Sequence, residues 1–264
     1  ERLRELAGPS QRVGLSATVG SPGEGGRFLV GHGEPDPSAP NDRSFDVVEV
    51  DVGTRIDVTV HRPEITEVDA RIAGRLATTE EVASHVRAIR EIVAENRSTL
   101  VFVNTRQTAE ALGSRFKALS SDGGEETVAE SKEARSEDEE SESGDAIPSV
   151  DVEVHHGSLS SDVRVDVEDR FKAGEIDALI CTSSMELGID VGRVDHVVQY
   201  GSPREVARLL QRVGRAGHRS DLVSRATVIA SDPDDSLEAL AIARRGEAGL
   251  VEPANVHHGS LDTA

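Results

Sequence analysis

The arginines between positions 204 and 215 are the side chains whose spacing best suggests chemistry. They are Arg204, Arg208, Arg212 and Arg215. Steps of four, four and three residues place them on one face of a helix, where like charges repel by roughly 0.2–0.5 kcal/mol per pair. The planar guanidinium fork suits phosphate. Spacing alone therefore leaves two interpretations open: a face that binds an anion, or a solvated face that offsets acidic surroundings.

A helix that begins at Pro203 and ends at Val213 is predicted around these arginines. Ser202 is a typical N-cap, proline suits the first helical position, and Glu205 completes a capping box. The apolar stripe that would face a core comprises Val206, Leu209, Leu210 and Val213. Gly214 ends the helix and permits the backbone to approach a ligand closely. The pattern predicts a helix that buries one face and carries arginines to an edge.

Five segments resemble motifs of superfamily 2 helicases and occur in the same order. They are 12–18 with Ser-Ala-Thr (motif III), 99–106 (IV), 154–159 (IVa), 180–191 (V) and 211–219 (VI). Each string alone is weak, but the ordered set is specific. The long forms HHGSLS, TSSMELGIDVGRVD and GSPREVARLLQRVGRAGH are most similar to the large helicase-related (Lhr) family. This resemblance covers nearly the whole chain apart from one acidic segment.

The resemblance implies an α/β architecture of the RecA-like P-loop NTPase fold: a parallel sheet flanked by helices, forming the second helicase lobe, with the tail of the first lobe at the N-terminus. The expected domains are 1–66 (end of the first lobe), 67–246 (second lobe, with a disordered acidic insertion at 120–146) and 247–264 (start of a winged-helix domain). The phosphate loop and the Asp-Glu-x-His box, which precede Ser-Ala-Thr in the family, are missing from the sequence. We therefore expect the chain alone not to hydrolyse ATP.

Local patterns independently predict strands that alternate with helices, which is typical of a parallel α/β sheet. Predicted strands are 12–15, paired strands within 45–60, 100–103, 150–154, 178–181, 194–198 and 226–229. Predicted helices are 79–95, 105–119, 160–172 and 203–213, and 20–40 is predicted to be loop. Ligands of such sheets bind beyond the carboxyl ends of the strands, where motifs III, IV and V begin.

The catalytic candidates implied by the resemblance are Arg215, Arg212 and Gln211. Arg215 would be an arginine finger on the γ-phosphate of ATP, and the alternative is a structural salt bridge. Gln211 and Arg212 would tie the helix to the nucleotide cleft and to motif V. Related helicases place a second finger three residues after the first, where this chain has a histidine.

Four further residues are implied to contact the nucleotide. Gly188 would let the backbone turn beside the phosphates, and Asp190 would bind the ribose hydroxyl, or else cap a turn. His218 and Arg219 occupy the place of the second finger. The resemblance implies ATP and magnesium as cofactors, with the magnesium ligands on the first lobe.

A track for the nucleic-acid backbone is implied at three strand ends. Its members are Thr105, Arg106, Gly157, Ser158, Thr182 and Ser183. Hydroxyl groups and glycine amides are sensible phosphate donors, although each such residue taken singly is more often an N-cap or a turn residue. Ser16 and Thr18 resemble motif III hydroxyls that couple hydrolysis to lobe movement.

The overall charge disfavours nucleic-acid binding, but the distribution of the charge is uneven. The chain has 49 acidic and 29 basic residues, a net charge of -20, and lysine at only three positions. Residues 120–146 hold 11 acidic and two basic residues, which predicts a disordered segment: either a solubilising loop or an arm that binds a partner or mimics DNA. Residues 199–225 instead hold six arginines and two acids, so the cations are local. The acid-rich, lysine-poor composition resembles that of proteins from extreme halophiles.

Histidine and cysteine usage bounds the remaining site types. His155 and His156 are adjacent, and on a strand they would point to opposite faces and not share one metal, so no metal site is predicted. A single cysteine, Cys181, suits a reducing cytoplasm. We expect no membrane insertion.

The motifs together indicate part of an ATP-dependent DNA helicase of the repair and recombination class, moving 3′ to 5′. Its expected partners are single-stranded DNA, ATP and the first RecA-like lobe of the same protein. One alternative is an RNA helicase of the DEAD-box kind, although Gln211 replaces the usual histidine of that group. Another is a stand-alone module that binds nucleic acid or a partner without ATPase activity.

Overall fold

The computed structural model describes residues 11–16, 18–30, 45–49, 55–121, 148–186, 192, 194–216 and 223–253. Its centre is a six-stranded sheet in which every pair of neighbouring strands is parallel. The strands are β1 (Arg55–His61), β2 (Thr99–Val103), β3 (Val152–His155), β4 (Ala178–Cys181), β5 (His196–Tyr200) and β6 (Val223–Ile229), in the spatial order β1-β6-β5-β2-β4-β3. The predicted parallel α/β sheet is confirmed.

Helices cover both faces of this sheet. They are α1 (Pro22–Val30), α2 (Glu67–Leu76), α3 (Glu80–Glu95), α4 (Arg106–Ser121), α5 (Ser161–Ala173), α6 (Val206–Val213) and α7 (Pro233–Glu247). Every residue of β2 is buried. Leu100 and Phe102 pack into one core with α5, α6 and α7, while Val101 and Val103 pack into the other with α2, α3 and α4. A strand covered on both sides reads as a continuous apolar run, as predicted for the central strands.

Local capping signals located several elements correctly. Helix α3 follows Thr79, whose hydroxyl accepts a hydrogen bond from the Val82 amide at 3.3 Å. Helix α5 follows Ser160, which accepts from the Val163 amide, and ends at Gly174 with φ of 74°. Such side-chain caps satisfy amides that have no acceptor within the helix. The predictions for 79–95 and 160–172 are thereby confirmed to within one residue at each end.

Three predictions near the N-terminus are wrong in whole or in part. The described residues 11–16 form no strand, and the described residues 45–49 do not pair as strands. The predicted strand structure within 45–60 is confirmed for β1, which pairs in parallel with the distant β6. Helix α1 lies within the predicted loop, where three glycines gave a turn signal.

Strand β1 lies before the domain boundary expected at residue 66, yet it belongs to the same sheet as the rest. Helices α2 and α7 were not predicted, and β5 lies two residues later than the predicted 194–198. Most of the acidic insertion, residues 122–146, lies outside the described residues. Helix α4 ends at Ser121 and so includes the first two positions of the expected insertion. Within the described ranges, no helix is long and apolar enough to cross a membrane.

Candidate functional site

The carboxyl ends of four neighbouring strands bring most of the predicted site residues to one edge of the sheet. Residues 104–106 follow β2, 156–158 follow β3, 182–183 follow β4, and 201–205 lead from β5 into α6. Because the strands are parallel, all four ends meet at the same edge. This is the edge at which open α/β sheets bind ligands.

Arg212 lies at the centre of this edge and is only 2% exposed. Its Nε donates to Glu186 Oε1 at 2.9 Å, and its Nη1 donates to Asn104 Oδ1 at 3.2 Å and to Gln199 Oε1. The guanidinium carbon lies 5.2 Å from the centroid of the Phe102 ring. Burial lowers the pKa of Arg212, and the contact with Glu186 opposes that shift. With its charge paired and its donors used in this way, Arg212 joins the ends of β2 and β5 to motif V.

The predicted arginine row is not a helix face. Helix α6 begins only at Val206, and Arg204 lies before it with φ of 70°. Arg204 forms ion pairs with Glu238 and with Asp235, and Arg208 pairs with Glu205 at 3.3 Å. The predicted helix start at Pro203 is therefore wrong, and two of the four cations bind carboxylates of this chain: Arg204 binds Glu238 and the buried Asp235, and Arg208 binds the exposed Glu205.

The reason lies in the contacts of Ser202. Its amide donates to Asp235 Oδ1 at 2.9 Å, and its hydroxyl accepts from the Arg204 amide at 3.2 Å. Asp235 is buried and also accepts from the Ser231 amide. Because α7 holds the chain in this turn, Ser202 cannot act as the N-cap of α6.

Arg215 differs from Arg212 in being only partly buried. It lies just after the end of α6, where its amide donates to the Arg212 carbonyl at 3.0 Å. Its Nη2 donates to the main-chain carbonyl of Glu186. Glu186 thus contacts both arginines, through its carboxylate and through its backbone.

Gln211 connects this helix to the N-terminal segment. Its Nε2 donates to Thr18 Oγ1 at 3.0 Å, across 193 positions of sequence. The Ser16 hydroxyl accepts from the Thr18 amide at 3.3 Å. The contact brings the predicted motif III and motif VI together.

Of the residues predicted to contact a nucleic-acid backbone, two are hydrogen-bonded to each other. Arg106 Nη1 donates to Ser158 Oγ at 3.0 Å, which joins the ends of β2 and β3. Thr105 accepts from the Thr108 amide at 3.1 Å and is the N-cap of α4, which is the structural alternative given for it above. Gly157 is exposed, and a Cβ there would meet none of the described atoms within 4 Å.

The last two members follow the neighbouring strand β4. Thr182 is partly buried and precedes a 3-10 turn, Ser183–Met185, whose first residue is exposed. For the described residues, no side-chain capping bond of Thr182 to this turn is formed. Both residues lie at the same sheet edge as Arg106 and Ser158.

The paired histidines point to opposite faces of β3, as strand geometry predicts. His155 contacts Ser184 Oγ and Glu168 Oε1, each at 3.0 Å, and burial lowers its pKa. His156 contacts Glu110 Oε1 at 2.6 Å and accepts from the Ser158 amide at 3.3 Å. His156 therefore supports the turn that presents Ser158.

Asn104, Glu186 and Gln199 are site residues that sequence reasoning missed. Gln199 gave a signal, since it is a polar residue inside an apolar strand and is completely buried, and buried polar groups require partners. Asn104 and Glu186 gave none beyond their places in motifs IV and V. Four predicted residues of the nucleotide cleft, Gly188, Asp190, His218 and Arg219, lie outside the described residues.

Residues 84–220 match the family described as the helicase conserved C-terminal domain, and the match includes β2 to α6 with Arg212 and Arg215. This chain belongs to that family. The helicase domain is also similar to the ATP-dependent helicase Lhr-Core of Methanothermobacter thermautotrophicus, with 32% identity over 99% of this chain and 26% of the relative. A second relative, Lhr-Core protein 2 of Thermococcus barophilus, is 33% identical over 99% of this chain and 26% of its own length.

The structure of Mycobacterium smegmatis helicase Lhr, bound to ssDNA and AMP-PNP, matches this helicase domain with a TM-score of 0.72 and 32% identity. That match covers 97% of this chain and 28% of the solved one. The predicted resemblance to Lhr helicases and the RecA-like fold are confirmed by these similarities. The chain spans about a quarter of the length of the curated relatives that it matches.

Proposed function

We propose that this chain is the second RecA-like lobe of an Lhr-type, ATP-dependent helicase that moves 3′ to 5′ along DNA. One observation carries the proposal: a buried, paired arginine, Arg212, lies one turn from a partly buried arginine, Arg215, and both contact Glu186. The first arginine joins the strand ends at the edge of the sheet, and the second is partly buried beside it. A fixed arginine beside a more accessible one supports an arginine-finger site.

Arg215 is the proposed finger on the γ-phosphate. Its guanidinium donates to the main-chain carbonyl of Glu186 at the end of the 3-10 turn in motif V. A finger stabilises the charge that develops on the transferred phosphoryl group and is worth roughly 10³–10⁵ in rate. By resemblance, Gly188, Asp190, His218 and Arg219 would complete the nucleotide contacts.

The strand ends beside this cleft are the proposed track for single-stranded DNA. Arg106 and Ser158 are joined, exposed donors on neighbouring connections, and the open space at Gly157 would admit a phosphate close to the backbone. Thr105, Thr182 and Ser183 add hydroxyl groups at the same edge. Contacts of this kind are independent of sequence and sensitive to salt.

The N-terminal segment is proposed to be the tail of the first lobe of the same protein, and to pack with the rest of that lobe. Large apolar side chains in this segment are strongly exposed: Leu15 is 93%, Val48 is 84% and Phe28 is 64% exposed. Apolar surface of this kind marks an interaction site. No group of three or more His, Cys, Asp or Glu side chains among the described residues could hold a metal ion. The proposal therefore assigns none of the described residues to magnesium.

The domain limits are proposed with one change from the sequence expectation. Because β1 pairs with β6, the second lobe would begin near Arg55 and not at 67. A winged-helix domain after 247, a role in DNA repair and a cytoplasmic, salt-rich setting remain proposals. The net charge of -20 supports the last of these, and it is tested by whether molar KCl raises the urea midpoint of the protein.

The finger assignment is tested by Arg215→Ala in the intact gene product. ATP turnover stimulated by nucleic acid should fall by roughly 10³-fold or more, while the affinity for single-stranded DNA stays the same. Arg208→Ala is the matched control, because Arg208 lies on α6 close to Arg215 in sequence, pairs with the exposed Glu205 and donates to the Pro203 carbonyl. Turnover retained in Arg215→Ala would overturn the assignment. Stimulation by RNA but not by DNA would favour the RNA-helicase alternative.

A further inference from the structure

The first turn of helix α6 is capped by a residue from far along the chain. Glu205, at the N-cap position, makes no side-chain capping bond within the described structure. Instead Glu252 accepts from the Val206 amide through Oε1 at 2.8 Å and from the Ala207 amide through Oε2 at 3.1 Å. These amides have no acceptor inside the helix, and a carboxylate is favoured at this positive end. Glu252 lies 46 positions after Val206.

The ionisation of Glu252 agrees with this role. Partial burial alone would raise the pKa of Glu252, but hydrogen bonds from the main-chain amides, including those of Val206 and Ala207, bring it below the usual value. The carboxylate is therefore charged at neutral pH and satisfies two helix amides at once. A charge-assisted bond of this kind is roughly twice as strong as a neutral one.

The backbone beside Glu252 also contacts the N-terminal segment. A Cβ built on Gly20 would lie 2.0 Å from the Glu252 carbonyl oxygen and 2.8 Å from that of Val251. No L-residue with a side chain fits this approach without movement of the backbone. Gly20 lies two residues after Thr18, which binds Gln211. Segment 18–20 therefore contacts the last turn of α6 through Thr18 and Gln211, and it lies against Glu252, which caps the first turn.

Helix α6 is eight residues long, so its last turn depends on how its first turn is held. The first turn is fixed by Glu252, and the last turn carries Gln211, with Arg215 just after the end of the helix. We propose that Glu252 and Gly20 are positioning residues, which dock segment 18–20 onto α6 and thereby place Gln211 and Arg215 for ATP turnover. The catalytic part of this inference rests on the proposed function, and the docking part does not.

The docking is tested by amide hydrogen exchange in the intact gene product. Glu252→Ala and Gly20→Ala should each raise the exchange rate of residues 206–213, because the capped amides lose their acceptors. Glu247→Ala and Gly25→Ala are the matched controls: Glu247 is exposed, and a Cβ on Gly25 would meet no described atom within 4 Å. Unchanged exchange in both test variants would overturn the inference, whatever the ATPase result.

The positioning role is tested by kinetics in the same variants. Glu252→Ala should lower kcat for ATP by about tenfold or more, since displacement of a catalytic group by about 1 Å costs up to ~100-fold. Glu252→Gln keeps an acceptor oxygen and should retain kcat to within about threefold. When Gln211→Ala is already present, Glu252→Ala should lower kcat further by less than about twofold. The reason is that Glu252 is proposed to act on turnover through the placement of Gln211.

A purely structural role gives a different result. Stability would then fall while kcat per folded molecule stayed constant, or the two substitutions would lower kcat additively, and either outcome would overturn the positioning role. Gly20→Ala gives an independent answer if Glu252→Ala does not fold. A wild-type protein without ATP turnover would refute the proposed function, and the exchange experiment would still decide the docking.

Discussion

Arg212 and Glu186 meet through two donors on one acceptor: Nε and Nη2 of the arginine lie 2.9 and 2.7 Å from the same oxygen, Oε1. The pair is almost fully buried on the arginine side. The main-chain carbonyl of Glu186 binds Arg215, so one residue of motif V sets two arginines of motif VI. The buried arginine joins the strand ends at this edge of the sheet, and the partly buried one contacts the same residue through its backbone.

Loss of either partner of the buried pair should destabilise the protein strongly. Breaking a buried ion pair leaves an uncompensated charge and typically costs about 3–5 kcal/mol. We expect Arg212→Ala and Glu186→Ala each to lower the free energy of unfolding by that amount, and Arg215→Ala to lower it by less than about 1 kcal/mol. Urea unfolding of the variants measures this. Equal effects of Arg212→Ala and Arg215→Ala would contradict the division of roles.

What could be predicted from the sequence follows the range of the interactions. The buried strand β2 and the helix after Thr79 depend on residues next to them in sequence, and both were predicted. The bond between Gln211 and Thr18 spans 193 positions, and the cap from Glu252 spans 46. No local pattern encodes such contacts. The prediction of a helix that begins at Pro203 and carries all four arginines was wrong for the same reason. Asp235, 33 positions away, accepts from the Ser202 amide and holds that residue in a turn before the helix.

The site was predicted by motif order more than by residue chemistry. Motif resemblance pointed to Arg212 and Gln211, and the structure adds their partners Glu186 and Thr18. Spacing alone could not separate Arg212 from Arg204, since both fit the same helical period. Burial separates them, and burial depends on the packing of α6 against β2 and β5.

Arg106 should contribute affinity for nucleic acid without sequence preference. Each phosphate contact on a single strand contributes about 0.7 to the slope of log K against log salt. Arg106→Ala should therefore weaken the binding of single-stranded DNA and reduce this slope by about 0.7. Fluorescence anisotropy at several salt concentrations gives both values. Arg244→Ala, an exposed arginine in the last turn of α7, should leave the slope unchanged.

Ser158→Ala separates anchoring from direct contact. The variant removes the oxygen that accepts from Arg106 at 3.0 Å. A smaller loss of affinity with an unchanged slope would indicate that Ser158 only orients Arg106. If Arg106→Ala leaves affinity and slope as they were, this end of β2 does not bind the backbone.

Acid should destabilise the fold before the carboxylates titrate. Burial lowers the pKa of His85, His155 and His196 below the ordinary 6.5. Below pH 6.5 the unfolded chain binds protons that the folded chain does not, so stability falls as pH falls, until the folded pKa values are passed. Each histidine contributes at most about 1.4 kcal/mol per pH unit.

Urea unfolding from about pH 8 to about pH 5 measures this histidine effect. His155→Gln should flatten the profile, because that ring is completely buried, and substitution of the exposed His61 by glutamine should not. A profile that stays level down to the range of the carboxylates would show that the buried rings take up protons in the folded state.

The Arg204→Gly variant should be more stable to unfolding than the Arg204→Ala variant. Its φ of 70° lies in the left-handed region, where a residue with a Cβ is strained by about 1–2 kcal/mol. Arg204→Ala loses the exposed ion pair with Glu238, which contributes about 0–1 kcal/mol, and the pair with the buried Asp235, and it keeps the strain. Arg204→Gly loses the same pairs and relieves the strain, so its free energy of unfolding should exceed that of Arg204→Ala by about 1 kcal/mol. Thermal and urea unfolding of the two variants provide the comparison. Equal stabilities would show that the turn between β5 and α6 relaxes once the ion pairs are gone, and the anchoring of Ser202 by Asp235 would then not hold it in place.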